Sequence, residues 1–391
     1  YRRNPDWQEK VEDFLRAGFY SRPVDGVTEA VPKRLYGEDF EKSITRMERF
    51  SACAFAHFLT YGLGLRERQE YDFQAVDLGN VCHSALERFS ARVQKAGISW
   101  TELSGEQRAE YIDESVEEAV ADYGNSVLYS SARNEYMIVR MKRMLERTVW
   151  ALTEQLSAGD FTPQLYEFRF ANGKIDRVDT CQEDGKLYVK VLDYKTGSKA
   201  FDVTALYFGL QLQLMVYMDA AVKHEEQKHP GAEVIPAGVF YYRIQEPLVD
   251  RKKDTDSRES MLKELKPDGL VNLQGETVRH LDRKMGGESL AAPLKFNKNG
   301  SLAKSSKAVP EEEFRAMMHH AAKKVEEIRD KILLGETAAL PYRRGQESGC
   351  DFCKYRHVCG FDLKVPGYHY RDMGKMSIEE AVAAMMREME E

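Results

Sequence analysis

The stretch that most narrows the fold is residues 173–197, GKIDRVDTCQEDGKLYVKVLDYKTG. Two runs that read as strands, 174–180 and 187–194, flank Asp184-Gly185, a dipeptide suited to the tight turn of an antiparallel hairpin. Strand side chains two apart share a face, so Leu187, Val189 and Val191 form an apolar row that ends in Asp193 and Lys195. A charge at the end of a core-facing row is costly unless it is paired or used. The hairpin also brings Asp176, on the neighbouring strand, alongside Asp193. Two carboxylates can hold Mg2+ together with waters and phosphate oxygens. The ion stabilises charge on a phosphate and makes bound water a better nucleophile. A lysine beside it can orient or deprotonate that water and neutralise developing charge. Asp176, Asp193 and Lys195 therefore supply the parts for metal-dependent phosphodiester hydrolysis. Asp-x-Lys alone is common and reads as an ordinary strand-end ion pair, so the surrounding elements decide.

Upstream, LGNVCHSALERF (78–89) is helical, with Leu78, Cys82, Ala85, Leu86, Phe89 and Val93 as its apolar stripe. His83 and Glu87 lie one turn apart on a shared face. His83 is a candidate metal ligand, and Glu87 is placed to orient it. A surface pair is the plainer reading. Downstream, LQLQLMVY (210–217) sets Gln213 and Tyr217 one helical turn apart, where they can meet the lysine or a phosphate.

Six cysteines in 391 residues are too few for a disulfide scaffold. Cys350, Cys353 and Cys359 cluster within ten residues, which points to metal. A four-sulfur site needs a remote fourth ligand, and Cys53 is the best candidate. Such a link would close a loop of almost 300 residues, an effect of about 5–6 kcal/mol as an upper figure in the chain-entropy model. Four thiolates suit zinc or an iron–sulfur cluster, and His57 or His357 can serve a zinc site. Cys82 and Cys181 read as ordinary residues.

Around these motifs the pattern is helical over residues 6–17, 43–59, 78–95, 105–123, 132–157, 204–224 and 310–334, with a short acidic final helix. Strands are expected at 165–170, 174–180, 187–194 and 233–244. Helices, strands, helix, strand is an α/β order. Residues 1–40 read as a lead-in from an upstream region, because Tyr1 replaces an initiator Met. Residues 41–391 read as one domain, and 247–309 as a loop-rich insertion. No apolar run of about 18 residues marks a membrane span, and no secretory signal opens the chain, so a cytoplasmic location is expected. The net charge of −7 counts mildly against a nucleic-acid binder. Local basic stretches soften the objection: Arg133, Arg140, Lys142, Arg143 and Arg147 share one helix, and Lys295, Lys298, Lys304 and Lys307 share a loop. Both can equally be solvated faces.

ITRMERFSACAFAHFLTYGLGLRER, LGNVCHSALERF, GKIDRVD, LDYKTG, LQLQLMVYMDA and CDFCKYRHVCGFD together resemble the nuclease domain of the AddB family, one of the two subunit types of bacterial AddAB helicase–nucleases. Several of these segments are shared with the wider RecB-type nucleases; the early cysteine with the late C-x2-C-x5-C is more specific. The resemblance covers residues 35–362. It implies a PD-(D/E)xK, restriction-endonuclease-like core, with a mixed central sheet flanked by helices and an iron–sulfur staple joining the N- and C-terminal segments. It also implies a 4Fe–4S cluster on Cys53, Cys350, Cys353 and Cys359, Mg2+ on His83, Asp176 and Asp193, and a catalytic Lys195. The family acts on DNA ends and single strands at double-strand breaks, with a heterodimeric AddA partner, and its AddB nuclease is expected to cut the 5′-ended strand. No G-x4-G-K-[ST] loop is present, so no ATP motor is expected here. Only Ala171-Asn172-Gly173 separates the runs at 165–170 and 174–180, where the family usually has a longer connection. A tight turn stands there, or residues are absent from the sequence, and the first strand's pairing stays open. Two other readings remain: a stand-alone CRISPR-associated-type iron–sulfur exonuclease, and a non-catalytic DNA-end-binding scaffold.

Overall fold

The computed structural model describes residues 5–18, 26–37, 43–68, 75–129, 131–247 and 257–390. In chain order the first helices are α1 (Pro5–Gly18), α2 (Ala30–Tyr36), α3 (Ile44–Ala52), α4 (Ala54–His57), α5 (Ala75–Ala96), α6 (Gly105–Leu128) and α7 (Ala132–Ala158). Strands β1 (Thr162–Phe170), β2 (Gly173–Glu183) and β3 (Lys186–Lys195) follow, then α8 (Val203–Tyr207), α9 (Gln213–Lys228) and β4 (Glu233–Arg243). The remainder is α10 (Ser257–Glu264), β5 (Asp268–Asn272), α11 (Thr277–Leu281), β6 (Ala308–Val309), α12 (Glu311–Leu333), β7 (Tyr342–Arg344), β8 (Glu347–Ser348), α13 (Arg356–Cys359), β9 (Arg371–Asp372) and α14 (Ile378–Glu390). The chain forms two compact units, and residues 41–391, expected as one domain, contribute to both. One unit takes residues 1–68, 204–212 and 322–381; the other takes 69–203, 213–321 and 382–391.

The second unit holds a six-stranded mixed sheet in the order β1-β2-β3-β4-β5-β6. β1, β2 and β3 are successive antiparallel neighbours, and β3 and β4 run parallel. The Asp184-Gly185 turn has both residues at positive φ, 49° and 77°, as a two-residue hairpin turn requires. The β1–β2 connection is also tight, since Phe170 pairs with Gly173 across Ala171 and Asn172. That register settles the pairing of the first strand. β3 is buried on both faces: Leu187, Val189 and Val191 are all buried, and so are Tyr188, Leu192 and Tyr194. The second set shares a core with Val81, Cys82, Ala85, Leu86, Phe89 and Val93 of α5, and with residues of α6 and α7.

A buried ionic knot ties the hairpin together. Arg177 makes two hydrogen bonds to Asp179, at 2.6 and 2.7 Å, and Lys190 lies 3.0 Å from the same carboxylate. Arg177 also stacks over Trp100, whose indole N–H donates to Tyr166 on β1 at 2.8 Å. Burial alone would raise the Asp179 pKa, but the Arg177 and Lys190 charges outweigh it and hold the carboxyl below its usual range.

Three sequence expectations differ from the structure. The helix expected over 43–59 breaks at Cys53, which is extended (φ −167°, ψ 115°) between α3 and α4. The helix expected over 204–224 is α8 and α9 with Gly209 between them at φ +75°, a conformation that stops a helix. The segment 247–309, expected to be loop-rich, adds β5 and β6 to the sheet and buries Leu265, Leu270, Val271, Leu281, Ala292, Leu294 and Phe296. Its many Gly and Lys residues mask short apolar stretches that suffice for an edge pairing. Residues 248–256 lie outside the described part.

Candidate active site

The antiparallel register sets Arg177 opposite Leu192, and one step further along it sets Asp176 opposite Asp193. The backbone amide of Tyr194 donates to Asp176 Oδ2 at 2.7 Å, which fixes that carboxylate against β3. Asp193 is 2% exposed and ion-paired with Lys195 two residues on. Lys195 Nζ also sits 5.6 Å from the ring centre of Tyr241 on β4, directly across from Asp193. His83 projects from α5, with Nδ1 3.4 Å from Asp176 Oδ1. Of the residues expected at the site, His83, Asp176, Asp193 and Lys195 are therefore together, in one unit.

The electrostatics follow from burying this much charge. Burial, then the neighbouring Asp176 charge, pushes the Asp193 pKa up to about 7, against the opposing pull of Lys195 and His83. Burial disfavours the His83 imidazolium, but the Asp176 hydrogen bond and the two carboxylate charges outweigh it, so its pKa lies above the ordinary histidine value. A buried cluster this rich in negative charge is a place for a cation.

Glu167 joins this cluster, and sequence reading missed it. It lies on β1 in register with Asp176, and cross-strand partners share a face. One ligand atom each from His83, Glu167 and Asp176 falls within 4.8 Å of the others. Glu167 has φ +50°, rare for a residue with a side chain, and is ion-paired with Lys174. Burial raises its pKa, Lys174 opposes this, and the charges of Asp176 and Glu87 add to the rise. The usable signal was the two-residue Ala171-Asn172 turn: counting back from it places Glu167 opposite Asp176. Glu87, expected to orient His83, is exposed, and the carboxylate the imidazole meets is Asp176. Gln213 and Tyr217 meet as expected, with Gln213 Nε2 donating to the Tyr217 hydroxyl at 2.8 Å. Tyr217 packs edge-on against Phe170 and beside Gly173, at the start of the strand carrying Asp176.

The other unit gathers the cysteines. Cys53, Cys350, Cys353 and Cys359 line one cavity of about 450 Å³, together with Phe55, Tyr355 and Phe361 among others. The helix break at Cys53 places its thiol there, and a Cβ on Gly349 would lie 2.7 Å from the carbonyl oxygen of Ala52, so glycine permits the close approach of the late segment. Burial raises the Cys53 and Cys350 pKa values, the latter to about 11, and each thiol feels others of the set. Neither His57 nor His357 lines the cavity. His57 is packed among Tyr36, Phe50 and Tyr61, and burial followed by Arg46 and Arg49 lowers its pKa to about 3. Four sulfur donors around one cavity fit a four-thiolate group and leave no imidazole for a mixed zinc site. Cys82 and Cys181 lie elsewhere, Cys82 in the α5 stripe and Cys181 3.5 Å from His280 Nδ1.

Among the described residues no helix is long and apolar enough to cross a membrane. The chain is 40% identical over 97% of its length to the B subunit of an ATP-dependent helicase/deoxyribonuclease from Lachnoclostridium phytofermentans, covering 34% of that protein. It is 32% identical over 99% of its length to the like-named protein of Alkaliphilus metalliredigens, and 31% over its whole length to that of Clostridium acetobutylicum, covering 36% of each. It thus spans about a third of the length of these relatives. The family model of the PD-(D/E)XK nuclease superfamily matches residues 41–360. With that match over a mixed sheet carrying Asp176, Asp193 and Lys195, the chain belongs to the PD-(D/E)XK nuclease superfamily.

Proposed function

We propose that this chain is the nuclease part of an AddB-type component of a helicase–nuclease and that it hydrolyses DNA with a divalent ion, Mg2+ in the cell. The observation that carries the reading is the convergence of His83, Glu167 and Asp176 ligand atoms beside the Asp193–Lys195 pair. The donor set is oxygen-rich with one imidazole, which suits Mg2+ or Mn2+. His83, Asp176 and Asp193 would hold the ion, with Glu167 beside them. When bound, the ion supplies charge stabilisation on the phosphate and acidification of water. The protein's part is to exclude bulk water, fix the carboxylates and place a cation. Asp176 is oriented by the Tyr194 amide, and Lys195 is held over Tyr241 where its ammonium can orient the attacking water and neutralise phosphate charge. Gln213 and Tyr217 offer polar groups to the lysine or a DNA phosphate.

The relatives' name supports DNA as substrate and an ATP-driven partner. We assign DNA ends and single strands at double-strand breaks, cleavage of the 5′-ended strand, AddA as the heterodimeric partner, and a cytoplasmic location. A 4Fe–4S cluster on Cys53, Cys350, Cys353 and Cys359 would staple the N- and C-terminal segments, with residues 1–40 as lead-in and 41–391 as the nuclease domain. The cavity lined by all four thiols supports the cluster. The test is cleavage of labelled single-stranded DNA with Mg2+, with and without chelator. Cleavage that the chelator stops supports the reading. DNA bound but never cut, with any divalent ion, would leave the end-binding scaffold instead.

A further inference from the structure

Helix α7 carries Tyr136, Arg140, Arg143 and Arg147 at spacings of four, three and four residues, so they form one stripe about 16 Å long. All three arginines converge on one carboxylate. Glu246 lies 3.9 Å from Arg140, 3.8 Å from Arg143 and 3.1 Å from Arg147. Arg143 also stands 5.9 Å from the ring centre of Tyr136. The arginine side chains are 38–45% exposed, whereas Glu246 is 23% exposed.

Stability does not explain this arrangement. An exposed ion pair contributes about 0–1 kcal/mol, and one arginine would suffice for one carboxylate. Like charges three and four residues apart on a helix repel, so the stripe costs stability, and Glu246 matches only one of its three positive charges. Lys142 on the same helix shows the ordinary alternative: it is ion-paired with Asp113 and Glu117 of α6. Planar guanidinium forks around an anionic oxygen group are the chemistry that recognises a phosphate, and a tyrosine beside them offers a face on which a base can stack.

The position adds direction. The amide of Ile244 donates to the carbonyl oxygen of Lys195 at 2.8 Å. Glu246 follows two residues later, no more than about 7 Å of extended chain. We propose that Tyr136, Arg140, Arg143 and Arg147 are a track for successive phosphates of a single DNA strand leading to the Asp193–Lys195 end of the sheet, and that Glu246 fills one phosphate position while no strand is bound. This rests on the nuclease assignment.

The test is anisotropy of a labelled short oligothymidine strand with the 391-residue chain, Ca2+ replacing Mg2+, over a range of KCl. Removing all three arginines (Arg140→Ala, Arg143→Ala, Arg147→Ala) should weaken binding and flatten the log K against log salt slope by about 2, at roughly 0.7 per phosphate contact on a single strand. Arg143→Ala alone, at an exposed position where the fold has little to lose, should flatten it by about 0.7. Glu246→Gln should tighten binding several-fold by freeing the forks. Lys142→Ala, the same charge lost from another face, should leave the slope as it is. A triple variant with the wild-type slope, or a Lys142→Ala slope as flat as that of Arg143→Ala, would overturn the track. Mg2+-dependent cleavage by the wild type separates the two readings. If the wild type cuts and the slopes do not move, only the track fails; if it neither binds nor cuts, the nuclease reading fails with it.

Discussion

At the scale of single residues, Asp193 is where fold and chemistry compete. Its carboxyl is buried beside Asp176, and its pKa is pushed up to about 7 from an ordinary value near 3.8. A raised carboxyl pKa means that folding favours the protonated form. The contribution is fully present below pH ~4 and is lost as pH rises through about 7. The metal-free protein should therefore lose stability between those values, by at most about 4 kcal/mol. Asp193→Asn should remove most of that slope, and denaturant unfolding across pH without divalent ions checks it. A wild-type stability that rises steadily from pH 4 to 8 would contradict the assignment. His83→Ala and Glu167→Gln should each raise the Mg2+ or Mn2+ concentration needed for half-maximal cleavage by at least several-fold. Calorimetric Mn2+ binding should weaken in step, and unmoved titration curves would make both residues bystanders. Asp176, Asp193 and Lys195 were legible because strand alternation and a Gly-marked turn act locally. Glu167 was not, because its place depends on the pairing across a connection whose length was in question.

Among the elements, the β1–β2–β3 hairpins carry the site, and the Arg177–Asp179–Lys190 knot holds them in register. Asp179→Ala would leave two cations buried without their carboxylate. Breaking a buried pair this way costs about 3–5 kcal/mol, so the variant should unfold at markedly lower denaturant or not accumulate as folded protein. Wild-type stability in Asp179→Ala would show that water reaches Arg177 or Lys190. The strands and most helices could be read from periodicity, since α5, α6 and α7 each bury one stripe. The breaks at Cys53 and Gly209 could not, because apolar spacing continues across both while the backbone leaves the helical conformation. β5 and β6 escaped notice because short strands in a polar, lysine-rich stretch carry too little alternation to register.

For the molecule as a whole, the cysteines make the longest-range claim. Cys53 meets Cys350, Cys353 and Cys359 at one cavity although almost 300 residues separate them in sequence. Protein prepared without oxygen should hold about four irons per chain, as a cubic cluster on four thiolates requires. Cys53→Ser and Cys359→Ser should lose the iron alike and melt at similarly reduced temperatures, while Cys82→Ser keeps its iron. Zinc without iron, or full iron in Cys53→Ser, would replace the cluster assignment. The central claim, a metal-dependent nuclease centred on Asp193 and Lys195, is tested most directly by pairing single-stranded DNA cleavage with calorimetric Mg2+ binding for two variants. Asp193→Ala should lose both cleavage and tight metal binding. Lys195→Ala should lose cleavage, by about 100-fold or more for a group acting on the transition state, and still bind the metal. Cleavage by Asp193→Ala within a few-fold of wild type, or equal loss of metal binding in both variants, would contradict the account.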